Sequence, residues 1–191
     1  HGTTPIPKYI EGSPLTEAEM RKKYQTVFAK VEGSAAAPTA SLHFTPRMLS
    51  AIPHEFVTLH VGLGTFAPVL PEHRESGKFY EETYDIPAKT LRAIKDKSVV
   101  AVGTTVVRTL ETYAKTGELS GKSDLFIRTP FDFKIVNSLI TNFHLPGSSL
   151  MMLVEAFLRS KGSKRPLKEI YEFAMRENFR FYSFGDAMLI S

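Results

Sequence analysis

The chain contains neither cysteine nor tryptophan. Without cysteine there is no disulfide scaffold and no thiolate-held zinc or iron–sulfur centre, so a metal would have to rest on His and carboxylates. The His spacing matches no zinc pattern, and no metal is expected. No apolar run approaches the ~20 residues that span a bilayer. The opening HGTTPIPKYIEGSP lacks the charged-then-apolar order of a signal peptide. A cytoplasmic protein with no membrane partner is therefore expected. Neither sign of charge dominates: 24 Lys and Arg against 20 Asp and Glu leave a net charge of +4, which permits a polyanionic partner without requiring one. Internal repeats are missing as well, which excludes a solenoid. What is present, 191 residues of which 42% are hydrophobic, is enough for one sizeable core.

Residues 1–15 are Pro-containing and aperiodic and read as an extended connector, and residues 16–191 read as a single α/β domain. Thr16 followed by Glu19 has the form of a capping box opening a helix with Met20, Tyr24, Val27 and Phe28 on one face. Thr45-Pro46 opens a short second helix. Strands are expected over 56–61, 98–102, 125–128, 133–136 and 139–141, the second being a β-branched run of the kind buried on both faces of a sheet. Helices are expected over 87–97 and 105–115, then one capped by Ser148, and a last over 166–178. The tail FRFYSFGDAMLIS reads as an aromatic strand followed by a tight Gly-Asp turn. Strands alternating with helices predict an α/β fold with a mostly parallel sheet and flanking helices.

Three segments carry polar groups where a strand hands over to a turn or helix: FVTLHVGLGTF, SVVAVGTTVVRTLE and LITNFHLPGSSLMMLV. Such junctions fix side chains rigidly while leaving backbone donors free, and three of them suggest one composite site. In the first, Gly62 and Gly64 follow a strand as in a nucleotide-binding loop, but the Ala67-Pro68 that follows allows no helix there. This weakens the reading as an ordinary methyltransferase. In the second, Gly103, Thr104 and Thr105 open a helix whose free amides and hydroxyls can face a ligand, with Arg108 and Glu111 one turn further on. The plainer reading is an N-cap and a surface ion pair. In the third, Asn142 and His144 stand at the strand end. His43, His60, His73 and His144 lie near motifs, where acid–base or hydrogen-bonding work suits them. Asp186 follows Phe184-Gly185 and serves either a turn or a cationic ligand. Arg159, Lys161, Lys164, Arg165 and Lys168 crowd into one connection, either a solvated loop or a contact for nucleic acid.

Seven segments in order along the chain resemble the S-adenosylmethionine:tRNA ribosyltransferase-isomerases of queuosine biosynthesis. They are KYQTVFAKVEGSAAAPTASLHFT, TLHVGLGTFAPV, EHRESGKFYEETYDIP, VVAVGTTVVRTLET, LFIRTPFDFK, SLITNFHLPGSSLMMLVEAF and FRFYSFGDAMLI. The family's chain is roughly twice this long and carries an inserted β-rich domain, so the sequence looks like its C-terminal part. Gly147 stands where the family usually has Lys, and Asn137 where it usually has Asp.

The resemblance implies transfer and isomerisation of the ribosyl group of S-adenosylmethionine onto 7-aminomethyl-7-deazaguanine in tRNA. Epoxyqueuosine-tRNA forms, and adenine and methionine leave. S-adenosylmethionine is then a co-substrate and no further cofactor is implied. Within the matched blocks His43, His60 and His144 are the candidates for proton transfer. Phe44 and Phe66 are candidates for stacking on adenine or facing the sulfonium. Gly62, Gly64, Thr104, Thr105, Arg108, Glu111, Asn142 and Asp186 are candidates for substrate binding. The basic connection would hold phosphates beside the anticodon wobble base of a tRNA partner. A monomer is expected, and the competing reading is an RNA-binding remnant without donor chemistry.

Overall fold

A computed structural model describes Ile10 and residues 14–62 and 69–191. In chain order the elements begin with α1 (Glu17–Lys23), a single 3-10 turn at Thr39–Ser41, α2 (Pro46–Ala51) and β1 (Thr58–His60). Then come α3 (Pro71–Ser76), β2 (Lys78–Asp85), α4 (Ala88–Ile94), β3 (Val99–Val102) and α5 (Thr104–Thr116). The rest are β4 (Ser120–Leu125), β5 (Val136–Asn142), α6 (Ser149–Ser160), α7 (Leu167–Arg176) and β6 (Ala187–Ile190). The helix starts follow local chemistry. Thr16 and Glu19 make the reciprocal capping box, Thr45 Oγ1 accepts the Met48 amide, and Ser148 Oγ accepts that of Met151.

The strands form two sheets of three, ordered β1-β2-β4 and β3-β5-β6. The architecture is mixed α/β, and the expected mostly parallel sheet is corrected. Among these strands only β3 and β5 run parallel, while β1–β2, β2–β4 and β5–β6 are antiparallel. The cause lies in the chain's route: after β3 and α5 it passes to the first sheet as β4 before returning as β5. The parallel pair keeps its helical crossover, and α5 ends up between the two sheets. Its Val107 and Leu110 belong to the main core, and Thr112 Oγ1 meets Ser123 Oγ of β4 at 2.6 Å.

Three further expectations change. The run 98–102 is not covered on both faces, since Val100 is 51% exposed. The two expected strands within 125–136 give way to β4, which ends at Leu125, and β5, which starts at Val136. The strand of the tail lies after the Gly-Asp turn, not before it. A positive φ of 69° at Tyr182 breaks the aromatic segment, and the side chains of Phe143, Tyr171 and Phe181 pack on one another instead. Where β3 pairs with β5 the register slips between Val99 and Val100, and Asn137 Oδ1 accepts the Val99 amide at 2.8 Å across that irregularity.

Candidate active site

The second sheet gathers polar groups at one end, beyond the last residues of β3 and β5. The Gly103 amide donates to the Ile140 carbonyl at 2.8 Å, which ties the start of α5 to β5. Gly103 has φ 101°, a conformation that favours glycine, and among the described residues no side chain caps the helix that follows. The N–H groups of Thr104, Thr105 and Val106 have no carbonyl within the helix to reach. Asn142 ends β5 opposite Ala187 of β6 and is 2% exposed. Its Oδ1 accepts the Thr39 hydroxyl at 3.1 Å. That turn also borders Gly103, where an added Cβ would lie 3.9 Å from the Cβ of Ala40.

His144 lies two residues further on. Its Nε2 is 2.8 Å from Thr141 Oγ1, and its amide donates to the Tyr171 hydroxyl at 2.9 Å. Burial pushes the imidazole down to about 4, so it is neutral at neutral pH and suits a fixed hydrogen-bonding role better than proton shuttling. Burial likewise pushes the Tyr171 phenol up to about 12. His43 reaches the same end from the turn 39–41, with Nε2 2.9 Å from the Gly185 carbonyl. Because a carbonyl only accepts, Nε2 carries the proton and the neutral ring keeps Nδ1 as a basic lone pair. Phe44 is half-buried just beyond it.

Other predicted residues have different employment. Arg108, 5% exposed, points into the first sheet and forms an ion pair with Glu82 of β2, itself 4% exposed. Burial lowers the guanidinium to about 10, which leaves it charged. Glu111 accepts the amides of Lys134, Ile135 and Val136 at 2.8, 3.0 and 3.0 Å, so its carboxylate anchors the chain entering β5. Asp186 takes the Arg180 guanidinium at 2.6 Å and the Arg180 amide at 2.8 Å, and these bonds hold its carboxyl below the usual range. It locks a turn in which a Cβ on Gly185 would run into the carbonyls of Arg180 and Phe181.

His60 stands apart. It pairs with exposed Thr83, whereas its neighbour Leu59 pairs with buried Tyr84, so His60 faces away from the side of the first sheet that holds Glu82 and Arg108. Its ring lies against Gly33, where an added Cβ would sit 3.0 Å from Nδ1. The expected composite site therefore gathers residues from two junctions, those after β3 and β5. His60 and Arg108 do not join it. Among the described residues a Cβ at Gly62 would meet the Glu81 carbonyl oxygen, at 3.8 Å. Gly64 and Phe66 lie outside the described residues. Two clefts of about 540 and 390 Å³, beside Arg21 and Gly33 and beside Lys161 and Leu167, are lined by none of His43, His60, His144 or Arg108.

In the basic connection Arg159 braces the turn, bonding Glu155 at 2.7 Å and the Ser163 and Lys164 carbonyls at 3.0 and 3.2 Å. Lys161 lies 5.1 Å from the centre of the Phe157 ring. Lys164, Arg165 and Lys168 are exposed. Sequence reasoning missed Thr39 and Tyr171, and it noted Thr141 beside Asn142 and His144 at the strand end without giving it a role. Tyr171 falls at a position that reads as ordinary helix interior. No described helix is long and apolar enough to cross a membrane.

The chain belongs to the queuosine biosynthesis protein family, whose model matches residues 1–190. It is 50% identical over 195 residues to an S-adenosylmethionine:tRNA ribosyltransferase-isomerase of Rubrobacter xylanophilus, covering 99% of this chain and 56% of that one. It is also 50% identical over 200 residues to the protein of the same name from Sulfurihydrogenibium, covering 100% of this chain and 58% of that one. The chain thus spans a little over half the length of these relatives. The crystal structure of S-adenosylmethionine tRNA ribosyltransferase from Thermotoga maritima resembles it with a TM-score of 0.64 and 42% identity, over 80% of this chain and 51% of that one.

Proposed function

We propose that this chain takes part in transferring and isomerising the ribosyl group of S-adenosylmethionine onto 7-aminomethyl-7-deazaguanine in the anticodon loop of tRNA, with release of adenine and methionine. The observation that carries the reading is the 50% identity to relatives of that name over 99% of the chain. The same reading makes it a cytoplasmic monomer whose residues 16–191 act as one domain, with S-adenosylmethionine as co-substrate.

The positive sulfur acidifies the neighbouring ribose methylene, and a base near neutral pKa can then remove a proton there. His43 fits this role through its Nδ1 lone pair. His144, kept neutral against Thr141, fits a hydrogen bond to the nucleoside. Lys164 and Arg165 are the cations left for RNA phosphates, since Arg159 braces the turn, Lys161 lies over Phe157 and Lys168 pairs with Glu172 at 3.8 Å. An acceptor base in a single-stranded loop can be splayed out at a cost of a few kcal/mol.

The test is adenine release from S-adenosylmethionine in the presence of an anticodon stem-loop carrying the 7-deazaguanine. Adenine is expected as product, and His43→Ala is expected to lower its rate about 100-fold. S-adenosylhomocysteine in place of adenine, or tRNA binding with no S-adenosylmethionine binding, would overturn the reading.

A further inference from the structure

We propose that the first turn of α5 and Asn142 form a carboxylate notch that takes the amino-acid end of S-adenosylmethionine, an inference that rests on the functional reading above. Two independent features meet here. One is the start of a 13-residue helix with no side-chain cap among the described residues, which leaves its first amides unbonded with the positive end of the helix dipole behind them. The other is Asn142. Its Oδ1 is occupied by Thr39, while Nδ2 is buried and has no hydrogen-bond partner among the described residues. A buried donor without a partner costs stability, and a ligand oxygen at that position removes the cost.

The two features lie side by side. Asn142 is two residues beyond Ile140, whose carbonyl receives the Gly103 amide, and the turn that holds Asn142 Oδ1 also borders Gly103. Thr105 and Ala40 border the start of the helix: a Cβ on Gly103 would stand 3.7 Å from Thr105 Oγ1 and 3.9 Å from Ala40 Cβ, ordinary contact distances. A carboxylate has two oxygens for two kinds of donor, one for the helix amides and one for Nδ2. The depth favours this small terminal group over an RNA phosphodiester, which carries ribose on both sides and stays near solvent. Asn142 is 2% and Thr104 5% exposed.

The test measures binding of S-adenosylmethionine and of its decarboxylated analogue to the full chain by calorimetry. The wild-type protein is expected to bind S-adenosylmethionine about 10- to 100-fold more tightly than the analogue. Asn142→Asp, which places a carboxylate where Nδ2 was, should abolish that preference and leave affinity for the analogue within a few-fold. The comparison of ligands on wild-type protein stands even where the variant does not fold. Equal affinity for both ligands overturns the inference alone. So does a variant that loses affinity for the anticodon stem-loop but not for S-adenosylmethionine, since the notch would then hold a phosphate. No binding of S-adenosylmethionine overturns the functional reading together with it.

Discussion

Along α5 the first turn and the two turns after it treat their polar groups in opposite ways. Arg108, Glu111 and Thr112 look like the functional end, with two charges and a hydroxyl inside the protein, yet each meets a partner in the fold, although Arg108 keeps a buried Nε with no hydrogen-bond partner among the described residues. Arg108 meets Glu82, Glu111 meets three backbone amides, and Thr112 meets Ser123. The first turn carries no charge, but among the described residues no side chain caps its amides and the neighbouring Asn142 donor has no partner. Buried charge in this helix therefore marks assembly, because it brings the two sheets together. Unmet hydrogen-bonding capacity that no charge pair accounts for, at Asn142 beside the first turn, is what points to a ligand there.

The comparison is tested hardest at Arg108. Removing one partner strands the other charge in the interior, so Arg108→Met is expected to cost about 3–5 kcal/mol in urea unfolding. Adding Glu82→Leu should recover most of the loss, since an apolar pair of similar volume is tolerated there. A single variant costing under ~1 kcal/mol would show that the pair does not lie in the core.

His144 tests the boundary between the two regions through pH. Its folded value of about 4 lies below the ordinary 6.5, so the folded state binds fewer protons than the unfolded chain between these values. The stabilisation is complete above pH 6.5 and is lost as pH falls towards 4, by about 3 kcal/mol in all. Unfolding measured from pH 7 to 4 in wild type and in His144→Gln should show a shallower slope in the variant. Parallel curves would mean that the imidazole is solvated.

Glu111 comes next in size. Glu111→Gln keeps the shape but offers one acceptor oxygen to three amides, 134 to 136, and is expected to cost about 1–3 kcal/mol. The loss should appear as a lower urea midpoint with an unchanged slope.

What the sequence made legible was local. The caps at Thr16, Thr45 and Ser148 need only their own neighbours, and all three form as read. The strand β2 escaped notice because Glu82 occupies an inward position between Phe79 and Tyr84, so the alternation of apolar residues is broken by a charge. That charge pairs with Arg108, which lies on another element. β4, with the sequence SGKSDL, has almost no apolar pattern and exists through its pairing with β2. The candidate site shows the same division. Gly103, Thr104 and Asn142 stand out because a strand ends beside them, whereas Thr39 joins them across 103 residues of sequence that no periodicity spans.

The smallest expected effect discriminates best between the two regions. If Asn142 serves a ligand, its amide contributes little to the fold itself, because among the described residues Nδ2 has no partner and the bond to Thr39 is the one lost on substitution. Asn142→Leu should leave stability within about 1 kcal/mol of wild type, since the buried donor disappears along with one acceptor and Thr39 is partly open to water. Urea unfolding of this variant beside Arg108→Met provides the contrast: two buried polar residues near the same helix, one removable and one not. A loss at Asn142 as large as that at Arg108 would place it among the structural groups, and the distinction between the first turn and the rest of α5 would no longer hold.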